Sequence, residues 1–240
     1  MEISFVILTI GDKPEMLDLA VRSIHRNFKD RSLYEIVIVG NNIPEVTGPV
    51  KIVEDTEKIE FLGARKNIGT RNSNGDIIVH CDDDMIFPSD WYLNFTKYNS
   101  GAEDWEILGN RVLLPDGGRH WDRATFLPYH RMVPYDYDEA GSVFYQTGGF
   151  SICKRSLLEK MSWSDDIPFY GMFKGFTHNE DVEFSLRLHD AGVKIKFDKN
   201  NTVWHYDFSY HSDGITCNKR TDTPDFEQKH IGFIVATSSI

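Results

Sequence analysis

The stretch ISFVILTI, residues 3–10, decides the fold, because it is a nearly unbroken apolar run rich in β-branched residues. Such a run is typical of a parallel strand that is covered on both faces. A helix is expected next, because apolar residues recur at helical spacing at positions 17, 21, 24 and 28. A second apolar run, EIVIV at residues 35–39, predicts another buried strand. Two strands joined by a helix indicate a right-handed parallel crossover.

The strand–helix pattern recurs further along the chain. The sequence predicts a polar helix over Ala64–Asn74, a strand over Ile77–Cys81 and another strand over Phe150–Cys153. Asp12 is placed to cap the first helix, with Pro14 in its first turn. The repetition of helices between apolar strands favours an α/β fold.

The clearest helix lies in THNEDVEFSLRLHDAG, residues 177–192. Thr177 and Glu180 match a capping box, and the final glycine of the stretch is the expected stop. Short strands are expected at residues 194–197 and 203–205. These elements extend the α/β pattern into the C-terminal half.

The middle of the chain gives no clear period. Residues 105–145 are rich in aromatic and loop-forming residues, and we expect them to be irregular with short antiparallel strands. No linker, repeat or low-complexity tract divides the sequence. We therefore predict one α/β domain over residues 1–240 with a mostly parallel sheet.

Composition and charge exclude several classes of protein. The 240 residues are 40% hydrophobic and 26% charged, which is typical of a globular chain. Twenty-six basic residues against 37 acidic ones give a net charge of −11, which disfavours sequence-blind nucleic-acid binding. An acidic protein that binds an anion needs a local device, such as a metal ion.

Neither a membrane span nor a disulfide framework is expected. No apolar run approaches the roughly 20 residues that a transmembrane helix needs, and the first residues lack the basic region of a secretory signal. The three cysteines, Cys81, Cys153 and Cys217, are far apart and match no zinc pattern. A reduced, cytoplasmic setting is the expectation.

Polar and acidic residues lie where predicted strands end. Asp82, Asp83 and Asp84 follow the strand IIVHC directly, while Thr9–Asp12 and Gly40–Asn42 follow the first two strands. In an open parallel sheet, ligands bind at the carboxyl ends of the strands. Carboxylates about 5 Å apart repel by roughly 3 kcal/mol per pair at an effective dielectric constant of about 20. The triplet is therefore either a solvated turn or a site for a hard cation such as Mg²⁺ or Mn²⁺.

Six segments in a fixed order carry a resemblance to a known family. They are TIGDKPEMLDLAVRSI, EIVIVGNN, ARKNIGTRNSNGDIIVHCDDD, TGGFSICKRSLLEK, NEDVEFSLRLHDAG and VWH, within Ser4–His205. The series resembles the family 2 glycosyltransferases of the glycosyltransferase A fold. The resemblance implies a Rossmann-like, mostly parallel central sheet flanked by helices, with a smaller irregular or antiparallel acceptor-side portion. It implies a nucleotide-sugar-binding half over about residues 1–110 and an acceptor-side half over about residues 111–240.

The resemblance implies roles for the acidic triplet. The family's Asp-x-Asp motif falls on residues 82–84, so Asp82 is expected to hold the donor ribose and Asp84 the metal, with Asp83 as the competing ligand. His205 matches a histidine that completes the metal site in many relatives. The implied cofactor is Mn²⁺ or Mg²⁺.

The same match implies the nucleobase contacts. The family's nucleobase segment falls on Thr9, Gly11 and Asp12. Gly40, next to Asn41, stands where the family often has an aspartate that reads uracil. The implied donor is therefore a UDP- or GDP-sugar, with the base left open.

Two further motifs are matched to the diphosphate and the acceptor. In the element that reaches the diphosphate, either Arg65 or Lys66 supplies the cation, beside Asn67. The Glu-Asp motif falls on Glu180 and Asp181, and the resemblance implies that Asp181 is the general base. The structural alternatives are helix capping for Glu180 and a helix-dipole interaction for Asp181.

These assignments predict a metal-dependent glycosyltransferase that moves a sugar to a hydroxyl of a carbohydrate or glycoconjugate acceptor, with inversion. A retaining transferase of the same fold, a nucleotidyltransferase and a catalytically weak carbohydrate-binding module are the alternatives. The tail from Tyr206 onward is expected to act as a lid. The sugar, the acceptor and the oligomeric state stay open.

Overall fold

Helices and strands alternate along most of the chain. The computed structural model describes residues 2–55, 61–101, 104–127, 131–134, 136–138, 145–167, 172–173, 176–177 and 179–206. The helices are α1 (Pro14–Asn27), α2 (Leu62–Arg71), α3 (Trp91–Ser100), α4 (Arg155–Leu158) and α5 (Asn179–Asp190). The strands are β1 (Ile3–Thr9), β2 (Tyr34–Gly40), β3 (Lys51–Glu54), β4 (Ile77–Asp82), β5 (Met85–Ile86), β6 (Ile107–Leu113), β7 (Ala124–Leu127), β8 (Arg131–Pro134), β9 (Phe150–Lys154), β10 (Met172–Phe173), β11 (Phe176–Thr177) and β12 (Ile195–His205).

An eight-stranded sheet organises the molecule, in the order β3-β2-β1-β4-β9-β6-β12-β5. The first four of these strands run parallel, and so do β6 and β12. Strand β9 runs antiparallel to both of its neighbours, and β5 runs antiparallel to β12. Strands β7 and β8 pair separately as an antiparallel hairpin. The predicted α/β class with a mostly parallel sheet is confirmed.

Strand β1 shows why its sequence is apolar throughout. All seven of its residues are buried, because helices cover both faces of the sheet. Phe5 packs with Trp91 of α3 in one core cluster, whereas Val6 shares a second cluster with Phe184 of α5. Full burial of one such side chain contributes about 1.5–3 kcal/mol.

The middle of the chain departs from the prediction at β6. This stretch lies within residues 105–145, expected to be irregular, yet it forms a buried strand parallel to β12. Gly109 and Asn110 interrupt its apolar pattern, and both have tertiary reasons. A Cβ at Gly109 would lie 3.0 Å from the Phe197 ring, and Asn110 Oδ1 accepts a hydrogen bond of 2.9 Å from Trp91 Nε1. The short antiparallel strands expected nearby are present as β7 and β8.

Two element boundaries also differ. The strands expected at residues 194–197 and 203–205 are one strand, β12, whose register shifts between Asp198 and Thr202. Helix α1 begins at Pro14 with Lys13 as its N-cap, and no side chain caps it. Asp12 therefore lies one residue too early to be the cap, and that prediction is wrong.

Cys81 and Cys153 are buried and free, while Cys217 lies outside the described residues. Within the described ranges, no helix combines the length and the apolarity that a membrane crossing requires.

Candidate active site

Three parallel strand ends form one edge of the candidate site. Thr9 lies opposite Gly40 in the neighbouring strand, and Leu8 lies opposite Asp82 in the other neighbour. A Cβ at Gly40 would lie 2.1 Å from the carbonyl oxygen of Thr9. The close approach of β1 and β2 therefore accounts for a glycine where the family often has an aspartate.

The loops after β1 and β2 also touch. Gly11 has a φ of +78°, a conformation that glycine adopts without strain. A Cβ there would lie 2.5 Å from the carbonyl oxygen of Asn42 and 2.8 Å from that of Asn41. Asp12, the next residue, is exposed at the rim of this edge.

The carboxylates after β4 meet an imidazole from the far end of the chain. Strand β12 pairs with β5, which sets His205 opposite Met85, and Tyr206 N donates to the carbonyl oxygen of Asp84 at 3.0 Å. Ligand atoms of Asp82, Asp84 and His205 lie within 4.8 Å of one another. Two carboxylate oxygens and one imidazole nitrogen are a donor set that suits Mn²⁺ or Mg²⁺.

The three aspartates differ in environment. Thr9 Oγ1 donates a hydrogen bond of 2.5 Å to Asp83 Oδ2, so Asp83 is engaged by β1. Asp84 Oδ1 lies 3.2 Å from His205 Nε2, and Asp84 Oδ2 lies 3.0 Å from Lys13 Nζ. Asp84 lies in the group whose ligand atoms converge with those of Asp82 and His205, and Asp83 does not, so the geometry favours Asp84 over Asp83 as a cation ligand.

Burial and mutual repulsion shift the acidity of these groups. Burial, and then the charge of Asp84, raises the pKa of Asp82 to about 7. Burial also raises the pKa of Asp83 to about 6, against the hydrogen bond from Thr9. Burial opposes ionisation of Asp84 as well, but the hydrogen bond and charge of His205, with Lys13, hold its pKa at about 2. A divalent cation beside Asp82 would favour its ionised form.

Arg65 braces the strand ends from helix α2. Its guanidinium is buried and donates to the carbonyl oxygen of Thr9 and to Asn41 Oδ1, both at 3.2 Å. It also forms an ion pair of 3.5 Å with Asp55. Through these contacts Arg65 stabilises the arrangement of the strand ends at the sheet edge.

Asn67 fixes the chain after α4 instead of facing the acidic triplet. Its side chain donates to the carbonyl oxygen of Trp163 at 2.8 Å and to Asp165 at 2.9 Å, and accepts from Trp163 N at 3.1 Å. The structure therefore engages Asn67 away from the aspartates.

Lys66 joins helix α2 to helix α5. Its ammonium lies 3.2 Å from Glu180 Oε1 and 3.8 Å from the centroid of the Trp163 ring. Lys66 and Glu180 are both buried, and Glu180 Oε2 has no hydrogen-bond partner among the described residues. The two motifs expected to contact diphosphate and acceptor are thus linked by a buried ion pair.

Asp181 is held by three hydrogen bonds. Its Oδ2 accepts from Tyr145 Oη at 2.6 Å and from Gly148 N at 3.2 Å, and its Oδ1 accepts from Val182 N at 2.7 Å. Burial first, and then the charge of Glu180, raises its pKa to about 7. A carboxylate with that pKa exchanges a proton readily near neutral pH.

Two consecutive glycines lie between the acidic groups. A Cβ at Gly149 would lie 2.7 Å from Asp82 Oδ2, and one at Gly148 would lie 2.6 Å from Glu180 Oε1. The glycine pair therefore lets the backbone pass between the triplet after β4 and the pair that begins α5. The predicted lid begins at Tyr206, and apart from that residue it lies outside the described part of the chain.

Sequence reasoning missed several residues at this site. Lys13 and Tyr145 contact predicted site carboxylates, although 71 and 36 residues separate the partners. Gly148 and Gly149 stood in one of the resembling segments, where a glycine pair before a strand was the available signal.

The comparisons with known proteins agree with this architecture. The model of glycosyl transferase family 2 matches residues 4–162, about two thirds of the chain. The chain belongs to this family. No curated protein matches the sequence.

Solved structures share the fold at low sequence identity. GalNAc-T7, solved with UDP, GalNAc and Mn²⁺, is 16% identical with a TM-score of 0.68, over 86% of this chain and 44% of its own. S. aureus TarS, in a crystal structure of residues 1–349, is 12% identical with a TM-score of 0.62, over 86% of this chain and 60% of its own. The mannosyltransferase PcManGT of Pyrobaculum calidifontis, in complex with GDP-Man and Mn²⁺, is 16% identical with a TM-score of 0.60, over 85% and 56%. The chain thus spans about half the length of these proteins, and the likeness establishes the glycosyltransferase A fold.

Proposed function

We propose that this chain is a glycosyltransferase that uses a divalent cation to transfer a sugar, with inversion, from a UDP- or GDP-sugar to an acceptor hydroxyl. The observation that carries the proposal is the convergence of Asp82, Asp84 and His205 at the carboxyl edge of the sheet. Two similar folds were solved with Mn²⁺ and with UDP or a GDP-sugar, which supports this donor class and this cofactor. The acceptor is a carbohydrate or glycoconjugate.

On the donor side, Asp84 and His205 hold the cation and Asp82 contacts the donor ribose beside it. When bound, Mn²⁺ or Mg²⁺ supplies positive charge that stabilises the diphosphate as it leaves. The nucleobase side is lined by Thr9, Gly11 and Asn41. Arg65 holds Thr9 and Asn41 in place through its hydrogen bonds. Arg65 and Lys66 are the two cations of α2 that were considered for the diphosphate. Both are buried in ion pairs, so their contribution is to shape the site.

On the acceptor side, Asp181 is the general base. Its carboxylate takes the proton of the acceptor hydroxyl while that oxygen bonds to the anomeric carbon and the bond from this carbon to the diphosphate oxygen breaks. The three hydrogen bonds to Asp181 fix its orientation, and Glu180 adds negative charge that favours its proton uptake. A single in-line displacement inverts the anomeric centre.

A panel of nucleotide sugars tests the proposal. Thermal unfolding is measured for each sugar with and without Mn²⁺, because saturation at a hundredfold over Kd adds about 2.7 kcal/mol of stability. The stabilising donor is then given to candidate acceptors, and the anomeric configuration of the product is measured by NMR. We expect stabilisation that needs Mn²⁺ and an inverted product. A retained configuration would reject inversion, and donor binding with no turnover on any acceptor would favour the binding module.

The cellular setting remains a prediction. The two described cysteines are buried free thiols, which supports a reducing, cytoplasmic environment.

A further inference from the structure

Lys13 occupies an unusual position for a cation. It is the N-cap of α1, where the helix dipole disfavours positive charge, and its side chain makes no capping hydrogen bond. Its ammonium instead lies 3.0 Å from Asp84 Oδ2. The acidic triplet therefore compensates a charge that the helix end alone would disfavour.

The two partners differ sharply in exposure. The side chain of Lys13 is 39% exposed, whereas that of Asp84 is 4% exposed. Asp84 is fixed by the sheet and by His205, on its other carboxylate oxygen. Lys13, at the N-cap of α1, is therefore the partner that a ligand from solvent reaches more easily.

Asp84 is thus shared between Lys13 and the proposed cation site. A divalent ion bound by Asp84 and His205, beside Asp82, would repel the ammonium and compete with it for the Asp84 carboxylate. A nucleotide diphosphate that arrives with the cation brings new negative charge to this edge. An ammonium is a well-suited point-charge partner for phosphate oxygens.

We propose that Lys13 is a donor-binding residue that pairs with Asp84 before the cation binds and contacts the donor diphosphate afterwards. The proposal rests on the proposed function, since it requires a divalent ion and a nucleotide diphosphate at this edge. In the absence of nucleotide, Lys13 then weakens the binding of the cation. Once the cation is bound, Lys13 strengthens the binding of the nucleotide. The two ligands bind cooperatively as a result, because Lys13 links them.

The test compares two affinities in Lys13→Met. Mn²⁺ alone is titrated by calorimetry or electron paramagnetic resonance, and UDP and GDP are titrated at saturating Mn²⁺. We expect Lys13→Met to bind Mn²⁺ severalfold more tightly, and to bind the nucleotide about tenfold more weakly, the scale of one lost charge-assisted hydrogen bond. Lys13→Arg keeps the charge and should retain most of the nucleotide affinity.

Lys29→Met is the matched control, because the exposed Lys29 lies beyond the opposite end of α1. It removes the same charge and should change neither affinity. If both affinities fall together in Lys13→Met, the residue is merely structural, and if neither changes, the inference is wrong. If the unaltered protein binds neither Mn²⁺ nor nucleotide, the proposed function itself fails and this inference falls with it.

Discussion

The hydrogen bond from Tyr145 to Asp181 provides a quantitative test of the proposed general base. The phenol donates to Asp181 Oδ2 at 2.6 Å inside the protein, and this contact lowers the pKa of Asp181 against the larger effect of burial. The other charged groups that act on Asp181 are Glu180, which raises its pKa, and Lys66, which lowers it. In Tyr145→Phe the effects of Glu180 and Lys66 on the pKa of Asp181 remain, and the hydrogen bond from Tyr145 is lost.

The magnitude follows from the strength of a hydrogen bond to a charged group. Such a bond contributes about 1.5–3 kcal/mol, and about 1.4 kcal/mol corresponds to one pH unit. Removing it raises the pKa of Asp181, so a higher pH is needed to ionise the base. We therefore expect the acid limb of the kcat/KM profile to move up by about one pH unit or more. Activity should fall about tenfold on that limb and much less on the alkaline plateau.

The assay is nucleotide release from the donor at pH 5.5 to 9, with a sugar acceptor or with water. Tyr137→Phe is the control, because Tyr137 donates a comparable hydrogen bond of 2.5 Å to a different buried carboxylate, Asp122. The acid limb of the kcat/KM profile should stay in place in Tyr137→Phe, even if this variant is less stable. An unshifted limb in Tyr145→Phe, or an equal loss of activity at every pH, would refute Asp181 as the titrating base.

Three further outcomes are expected. Lys66→Met should lower the free energy of unfolding by about 3–5 kcal/mol in denaturant melts, because it leaves the buried Glu180 carboxylate without its ion-pair partner. The double variant Lys66→Met, Glu180→Gln should recover much of that loss. No recovery would contradict the explanation. Gly149→Ala should weaken binding of the nucleotide at saturating Mn²⁺, because its Cβ would lie 2.7 Å from Asp82 Oδ2, the carboxylate proposed to contact the donor ribose, whereas Gly101→Ala, at the end of α3, should leave the nucleotide titration unchanged. Without a divalent cation, the free energy of unfolding should fall as pH rises from about 4 to about 7, because the folded-state pKa of Asp82 is about 7, well above its ordinary 3.8. Asp82→Asn should make this dependence shallower, with the remainder due to Asp83 and Asp181, and an equal slope in both proteins would argue against it.

The sequence was informative where one local pattern decides the structure. The strands β1, β2 and β4 are buried on both faces or close to it, so their apolar runs identify them without tertiary information. Strand β6 escaped detection because its buried Asn110 is satisfied by Trp91, a contact between distant segments. A polar residue such as Asn110 favours the prediction of a loop unless its hydrogen-bond partner, here Trp91, is known.

The same division holds at the site. Asp82, Asp84, Asp181 and His205 stood out because acids and a histidine fall at strand and helix ends in a recognisable order. The partners of Arg65 and Asn67 were not readable, since both residues bind segments brought together only by the fold. Lys13 looked like an ordinary residue at a helix start, and only its 3.0 Å approach to Asp84 distinguishes it.

The most direct test of the account is a Mn²⁺ titration of the unaltered protein and of Asp84→Ala, with Asp166→Ala as an exposed control. We expect one bound Mn²⁺ per chain in the unaltered protein and in the control, and loss of that binding in Asp84→Ala. Equal Mn²⁺ affinity in all three proteins would contradict the claim that the strand-end carboxylates and His205 form a cation site.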